Sequence, residues 1–124
     1  MRVCVATSGS GGLKDYVSPV FGRCPTFTII DLVGSRIKNV TVMQNFASML
    51  GGGAGIQAAQ MIANSGCNVV IAGSFGPNSA QILSMARIDV RLCSPMPVEN
   101  AIDLFNRGIL QPLFAMQISP YYIR

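Results

Sequence analysis

The chain has 124 residues, half of them hydrophobic and 11% charged, with nine Lys and Arg against five Asp and Glu for a net charge of +4. That length fits one domain around one core, and the apolar content excludes a disordered chain. The sequence has no histidine and no tryptophan, which excludes Ser-His-Asp and Cys-His triads and zinc sites that need imidazole, and the mild, scattered charge excludes a nucleic-acid footprint.

No apolar run is long enough for a membrane span, and Met1 to Ala6 is too short for a signal peptide. A cytoplasmic location is the expectation. Cys4, Cys24, Cys67 and Cys93 are far apart in sequence. They form no C-x-x-C pair and no zinc-finger spacing, and a reducing compartment leaves them as thiols.

Arg2 to Ala6 is a short β-branched apolar run and predicts a strand buried on both faces, with Thr7 to Gly12 as the loop after it. Thr26 to Leu32 predicts a second strand and Arg36 to Met43 a third, joined through the turn at Val33-Gly34-Ser35 into an antiparallel hairpin. The run Gly51-Gly52-Gly53-Ala54-Gly55 opens a helix through about Ser65, with Ile56, Ala59 and Ala63 on one stripe and Gly66 as its stop. Asn68 to Ala72 predicts a buried strand. Pro77 starts a second helix through Arg87. Asp89 to Cys93 predicts a fifth strand, and Pro97 starts a third helix with Val98, Ala101, Ile102 and Phe105 on its apolar stripe. The order β-β-β-α-β-α-β-α predicts an α/β fold with a five-stranded mixed sheet, in which strands one, four and five run parallel. Residues 1–110 are expected to form this domain. Residues 111–124 are an apolar tail with Phe114, Ile118, Tyr121 and Tyr122, either docked or at a subunit contact such as a homodimer interface.

This topology gathers the glycine- and proline-rich segments at one end of the sheet, outside the carboxyl ends of the parallel strands, where ligands bind in open α/β sheets. Phe21-Gly22-Arg23-Cys24-Pro25, the glycine run, Gly73 to Pro77 and Cys93 to Pro97 all meet there. Glycines let backbone N–H groups approach a ligand, a helix N-terminus adds partial positive charge, and Arg23 adds a permanent cation. That combination favours an anion. Cys24 and Cys93 are the two thiols at this end and the candidate ligands for a soft metal, with Met49 and Met96 as further donors. The same residues also admit a plainer reading. The glycine run serves as a tight loop, the thiols pack as small hydrophobes and the methionines fill gaps.

Val17 to Pro25, Gly51 to Gln60 and Val69 to Ser79 together resemble the dinitrogenase iron–molybdenum cofactor biosynthesis family, over roughly Met1 to Leu110. The family includes carriers of nitrogenase cofactor, single-domain archaeal and bacterial relatives, and a small protein that holds a molybdenum–copper sulfide cluster. The resemblance implies a ribonuclease H-like fold and non-enzymatic binding or carriage of an anionic metal–sulfur cluster, of the iron–molybdenum or molybdenum–copper type. It implies cluster donor or acceptor proteins as partners. The matching site positions are Phe21, Gly22, Arg23 and Cys24, then Gly51, Gly52, Gly53, Ala54 and Gly55. Some carriers have histidine where this chain has Val20 and Leu50, so Cys24 is the replacement ligand, or the cluster is held by hydrogen bonds alone. Two other functions compete. A small-anion sensor or interaction module would use the glycine loop and leave the thiols inert. A ribonuclease H-like nuclease would need carboxylates on strands one and four, which carry none.

Overall fold

The computed structural model describes residues 1–113. Its strands are β1 (Arg2–Thr7), β2 (Thr26–Val33), β3 (Arg36–Gln44), β4 (Val69–Ala72), β5 (Asp89–Leu92) and β6 (Gln111–Pro112). Its helices are α1 (Ala54–Asn64), α2 (Pro77–Met85) and α3 (Val98–Asn106), and one 3-10 turn covers Phe46–Met49. The strands form one mixed sheet in the order β3-β2-β1-β4-β5-β6. β1 pairs antiparallel with β2 and parallel with β4, and β4 pairs parallel with β5. The parallel set expected from the sequence is therefore present.

The strand count is six, not five. Arg91 pairs with Pro112 and Leu92 with Gln111, which adds an antiparallel edge beyond β5. A strand of two residues carries no alternation to read, and a proline inside it argues against a strand except at an edge, where its missing N–H costs nothing. The remainder of the expected tail, from Phe114 on, lies outside the described residues.

Strand alternation separates the core into two layers. Val3 and Val5 of β1 face one side with Ile30, Val69, Ile71 and the α3 residues Val98, Ala101 and Ile102. Cys4 and Ala6 face the other with Phe27, Val70, Ala72 and the residues Ala58, Ala59, Ile62 and Leu83 of α1 and α2. The α3 stripe follows its expected spacing. The α1 stripe is turned: Ala58, Ala59 and Ile62 are buried, while Ile56 is only partly covered. In so alanine-rich a helix, composition fixes the apolar face poorly, and packing on β1 and β4 decides it.

The end away from the glycine segments is closed by ion pairs. Arg2 Nε donates to Asp31 at 2.9 Å, and Arg2 Nη1 reaches the Ser65 carbonyl at 2.8 Å. Arg91 pairs with Asp89 at 2.9 Å and donates to the Leu110 carbonyl. Asp31 and Asp89 thus anchor strand ends far from the glycine rim. Asp15 is at the rim, but its carboxylate accepts from the amides of Gly9, Gly11 and Tyr16 and so shapes its own loop. No helix among the described residues is long and apolar enough to cross a membrane.

Candidate functional site: a depression between two helix starts

Three chain segments converge at the rim. Phe21 is buried, with its ring centroid 5.3 Å from Phe27 and 5.2 Å from Phe75. That anchor lays Gly22 on the start of α1, so close that a Cβ on Gly22 would stand 2.8 Å from the Gly55 Cα. Gly73 lies on Pro19 in the same way: a Cβ on Gly73 would stand 2.7 Å from the Pro19 Cα. The first motif is thereby pinned against both the α1 start and the segment that leads into α2.

A depression of about 280 Å³ opens beside these contacts, lined by Arg23, by Gly53 to Ile56 of α1 and by Gly76 to Ser79 of α2. Gly53 caps α1 in the left-handed conformation at φ 73°, with no side-chain hydrogen bond to the first turn. The Gln57 amide is the first to be satisfied inside the helix, by the Gly53 carbonyl. Among the described residues, the amides of Ala54, Gly55 and Ile56 thus have no partner and stand at the positive end of the helix. α2 begins in the same manner: Gly76 supplies no side-chain cap, and the Ala80 amide is satisfied by the Gly76 carbonyl. No Asp or Glu lines the depression.

Arg23 is exposed, and its Nη1 donates to the carbonyls of Ser48 at 3.3 Å and Leu50 at 2.9 Å. This bond ties the guanidinium to the chain entering the glycine run. Among the described residues, Nε and Nη2 make no hydrogen bond and remain available. Asn45, unremarked in the sequence, organises the same corner. Its side chain caps the 3-10 turn through the Ala47 amide and donates to the carbonyls of Gly22 and Cys24. An asparagine just ahead of a short helical turn is the signal that marks it. Of the glycine run, Gly53, Ala54 and Gly55 line the depression. Gly51 and Gly52 stand exposed before it.

The thiols do not join this group. Cys24 is buried, packs with Phe21 and Phe27, and donates its S–H to the Phe21 carbonyl at 3.0 Å. Burial pushes its pKa up to about 12, against the opposing pull of the Asn45 amide. Cys93 lies in the opposite core layer, donates to the Ser94 carbonyl at 3.3 Å and borders a separate depression with Pro19 and Gly73. A shared soft-metal site of Cys24 and Cys93 does not fit this arrangement, because the sheet stands between the layers that hold them. Met49 is exposed and Met96 half-buried against the α3 layer, and neither lines the depression. Among the described residues there is no cluster of three or more Cys, Asp or Glu able to hold a metal ion.

The model of the dinitrogenase iron-molybdenum cofactor family matches residues 1–108. The chain belongs to this family. An uncharacterized protein of Methanocaldococcus jannaschii is 34% identical over 98 residues, covering 79% of this chain and 83% of that one. The apo form of the orange protein from Desulfovibrio gigas is 33% identical with a TM-score of 0.82, over 90% of this chain and 91% of that chain. A Thermotoga protein of the DUF35 family is 30% identical with a TM-score of 0.75, over 90% of this chain and 92% of that chain. Membership agrees with the resemblance carried by Val17 to Pro25, Gly51 to Gln60 and Val69 to Ser79, and it points to a role connected with iron–molybdenum cofactor.

Proposed function

We propose that this protein binds and carries an anionic metal–sulfur cluster, of the iron–molybdenum or molybdenum–copper type, without turnover. The depression between α1 and α2 is the seat of that cargo. One observation carries the reading: two uncapped helix starts and the Arg23 guanidinium border a common space with no carboxylate in its lining. Helix N-termini and guanidinium groups both favour negative charge, and their effects add where they point at one guest.

In this reading the cluster is held by hydrogen bonds and charge rather than by a thiolate. The Ala54, Gly55 and Ile56 amides and the free edge of Arg23 face the guest. Phe21, Gly22 and Cys24 position the loop that carries Arg23. Cys24 supports it from below through its bond to the Phe21 carbonyl. A hydrogen-bonded cargo can be handed on without breaking a metal–sulfur bond to the protein, which suits a carrier between a donor and an acceptor protein in the cytoplasm. The sheet order β3-β2-β1-β4-β5, with β2 antiparallel to its neighbours, supports the ribonuclease H-like reading of the fold.

Anaerobic reconstitution of the full chain with iron, sulfide and thiomolybdate tests the proposal. The expected result is a stoichiometric coloured complex that survives desalting. A protein that leaves the column colourless and metal-free under every metal mixture would overturn it.

A further inference from the structure

We propose that Ser79 and the first turn of α2 form an oxygen-selective subsite within this depression, which seats a terminal oxygen of a tetrahedral dianion such as molybdate or phosphate. The inference rests on the reading of the depression as an anion site and names the part of that site which chooses the contacting atom.

Ser79 is only 3% exposed, although Gly76, Pro77 and Asn78 before it are all exposed. Its hydroxyl makes no hydrogen bond to any of the described residues. A serine in the first turn of a helix ordinarily uses its hydroxyl for a backbone group nearby. No fully buried side-chain oxygen among the described residues lacks a partner, so the Ser79 Oγ keeps an opening to the depression that its residue lines. The Ser79 hydroxyl instead lies against the start of the other helix. A Cβ on Gly55 would stand 2.6 Å from the Ser79 Oγ, so only glycine at position 55 lets this oxygen sit between the two helices.

The backbone around it offers matching donors. α2 is nine residues long and has no side-chain cap. Pro77 has no N–H, and the Ala80 amide is already bonded to the Gly76 carbonyl. Among the described residues, the amides of the first turn without a partner are therefore those of Asn78 and Ser79. With the Ser79 hydroxyl they form one group of donors, facing the Ala54 to Ile56 amides and Arg23 across the same space. Four-cornered anions suit such an arrangement, because each corner can meet a different donor group.

The hydroxyl gives the subsite its preference. O–H donors make short, strong bonds to oxygen at about 2.5–3.0 Å, whereas sulfur is a larger and weaker acceptor. An oxo corner fits against Ser79 and Gly55 where a sulfido corner would be held off.

Calorimetric titration of the full chain with sodium molybdate, sodium phosphate and tetrathiomolybdate, for the wild type and Ser79→Ala, tests the inference. The wild type should bind molybdate or phosphate, and the variant should bind it roughly tenfold or more weakly, as expected on losing a hydrogen bond to a charged partner. Tetrathiomolybdate affinity should change less than about twofold, because sulfur accepts little from a hydroxyl. Whichever of molybdate and phosphate binds more tightly identifies the source of the oxygen corner. The inference is overturned if neither oxo-dianion binds, or if Ser79→Ala leaves their binding within about twofold of wild type. Neither result touches cluster retention after reconstitution, which tests the proposed function separately. If the variant fails to fold, amide shifts of the wild type on adding molybdate decide instead. Shifts at Asn78 and Ser79 together with Ala54 to Ile56 support the subsite, and shifts confined to α1 overturn it.

Discussion

Gly22 lies directly on Gly55, so that a side-chain carbon placed on the first would stand only 2.8 Å from the Cα of the second. Two backbones from segments more than thirty residues apart are thus in contact where the depression begins. The family's two glycine-bearing motifs meet here: a side chain on Gly22 would push into the start of α1, whereas one on Gly55 would meet Ser79 on its other side.

Gly22→Ala and Gly73→Ala should each destabilise the fold by about 1–3 kcal/mol, the usual cost of forcing atoms into filled space. Each new methyl would meet backbone, which does not swing aside, at 2.8 Å and 2.7 Å respectively. Gly52→Ala is the control. Nothing lies within 4 Å of its added carbon, and its stability should stay within ~0.5 kcal/mol of wild type. Urea unfolding of the three variants checks the order, and an equal loss at Gly52 would contradict it.

Arg23→Ala should abolish cluster retention while leaving the urea midpoint nearly unchanged. The side chain is exposed, and its bonds to the Ser48 and Leu50 carbonyls are on the surface, where such contacts contribute little to stability. Arg23→Lys should restore binding only in part, since an ammonium lacks the planar fork of donors. Metal content after desalting reads the first effect and unfolding curves the second.

Cys24→Ser should keep the cluster. A serine hydroxyl can still donate to the Phe21 carbonyl, as the thiol does. The variant should nonetheless lose roughly 1–2 kcal/mol of stability, because a more polar group sits in an apolar layer. Loss of colour in a folded Cys24→Ser protein would show that the thiol ligates metal and would refute a purely hydrogen-bonded seat.

Acid should weaken the fold at the opposite end. The Arg2 guanidinium, chiefly through its hydrogen bond, holds the Asp31 carboxyl below its ordinary value. A carboxyl depressed in the folded state stabilises the protein above its unfolded pKa, near 3.9, and loses that contribution as pH falls through the lower folded value. Asp31→Asn should therefore show a shallower fall in melting temperature between about pH 5 and pH 2 than the wild type. Parallel curves for the two proteins would exclude this role.

The thiols should separate by reactivity. Hydrogen bonding from Cys4 lowers Cys67 to about 7 against the opposing effect of burial, while burial raises Cys4, Cys24 and Cys93. All four thiols are buried, so labelling needs local opening, and among them iodoacetamide should reach Cys67 first, with a rate that rises with pH as thiolate forms. Peptide mass spectrometry reads the site, and earlier labelling of Cys93 would contradict the order.

The rim was legible because hydrophobic runs and turn residues fix which way each strand travels. Once β1, β4 and β5 run parallel, Gly53, Gly76 and Arg23 must arrive at one end. What lay beyond the sequence is the direction of single side chains. Cys24 follows Arg23 immediately, yet one points into the phenylalanine layer and the other to solvent, and no periodicity exists in an irregular loop to say which. Ser79 was hidden for a related reason: its significance depends on how closely it packs on Gly55, where an added Cβ would stand 2.6 Å from the Ser79 Oγ, and local pattern does not encode such an approach between two helices. Gln111 and Pro112 escaped notice because two residues make no pattern at all.

The donors around the depression come from residues 21–23, 53–56 and 76–79, and each crossover must be closed before they meet. A chain with only the β1-β2-β3 meander in place offers an inorganic guest Arg23 but neither helix start. On the proposed function, a cargo seated there would bind the finished tertiary structure far better than its precursors, so by mass action loading would act as a thermodynamic latch on folding. On that reading the unloaded form would be the more easily unfolded and degraded of the two, which would let the cell keep its stock of this protein in step with the supply of metal.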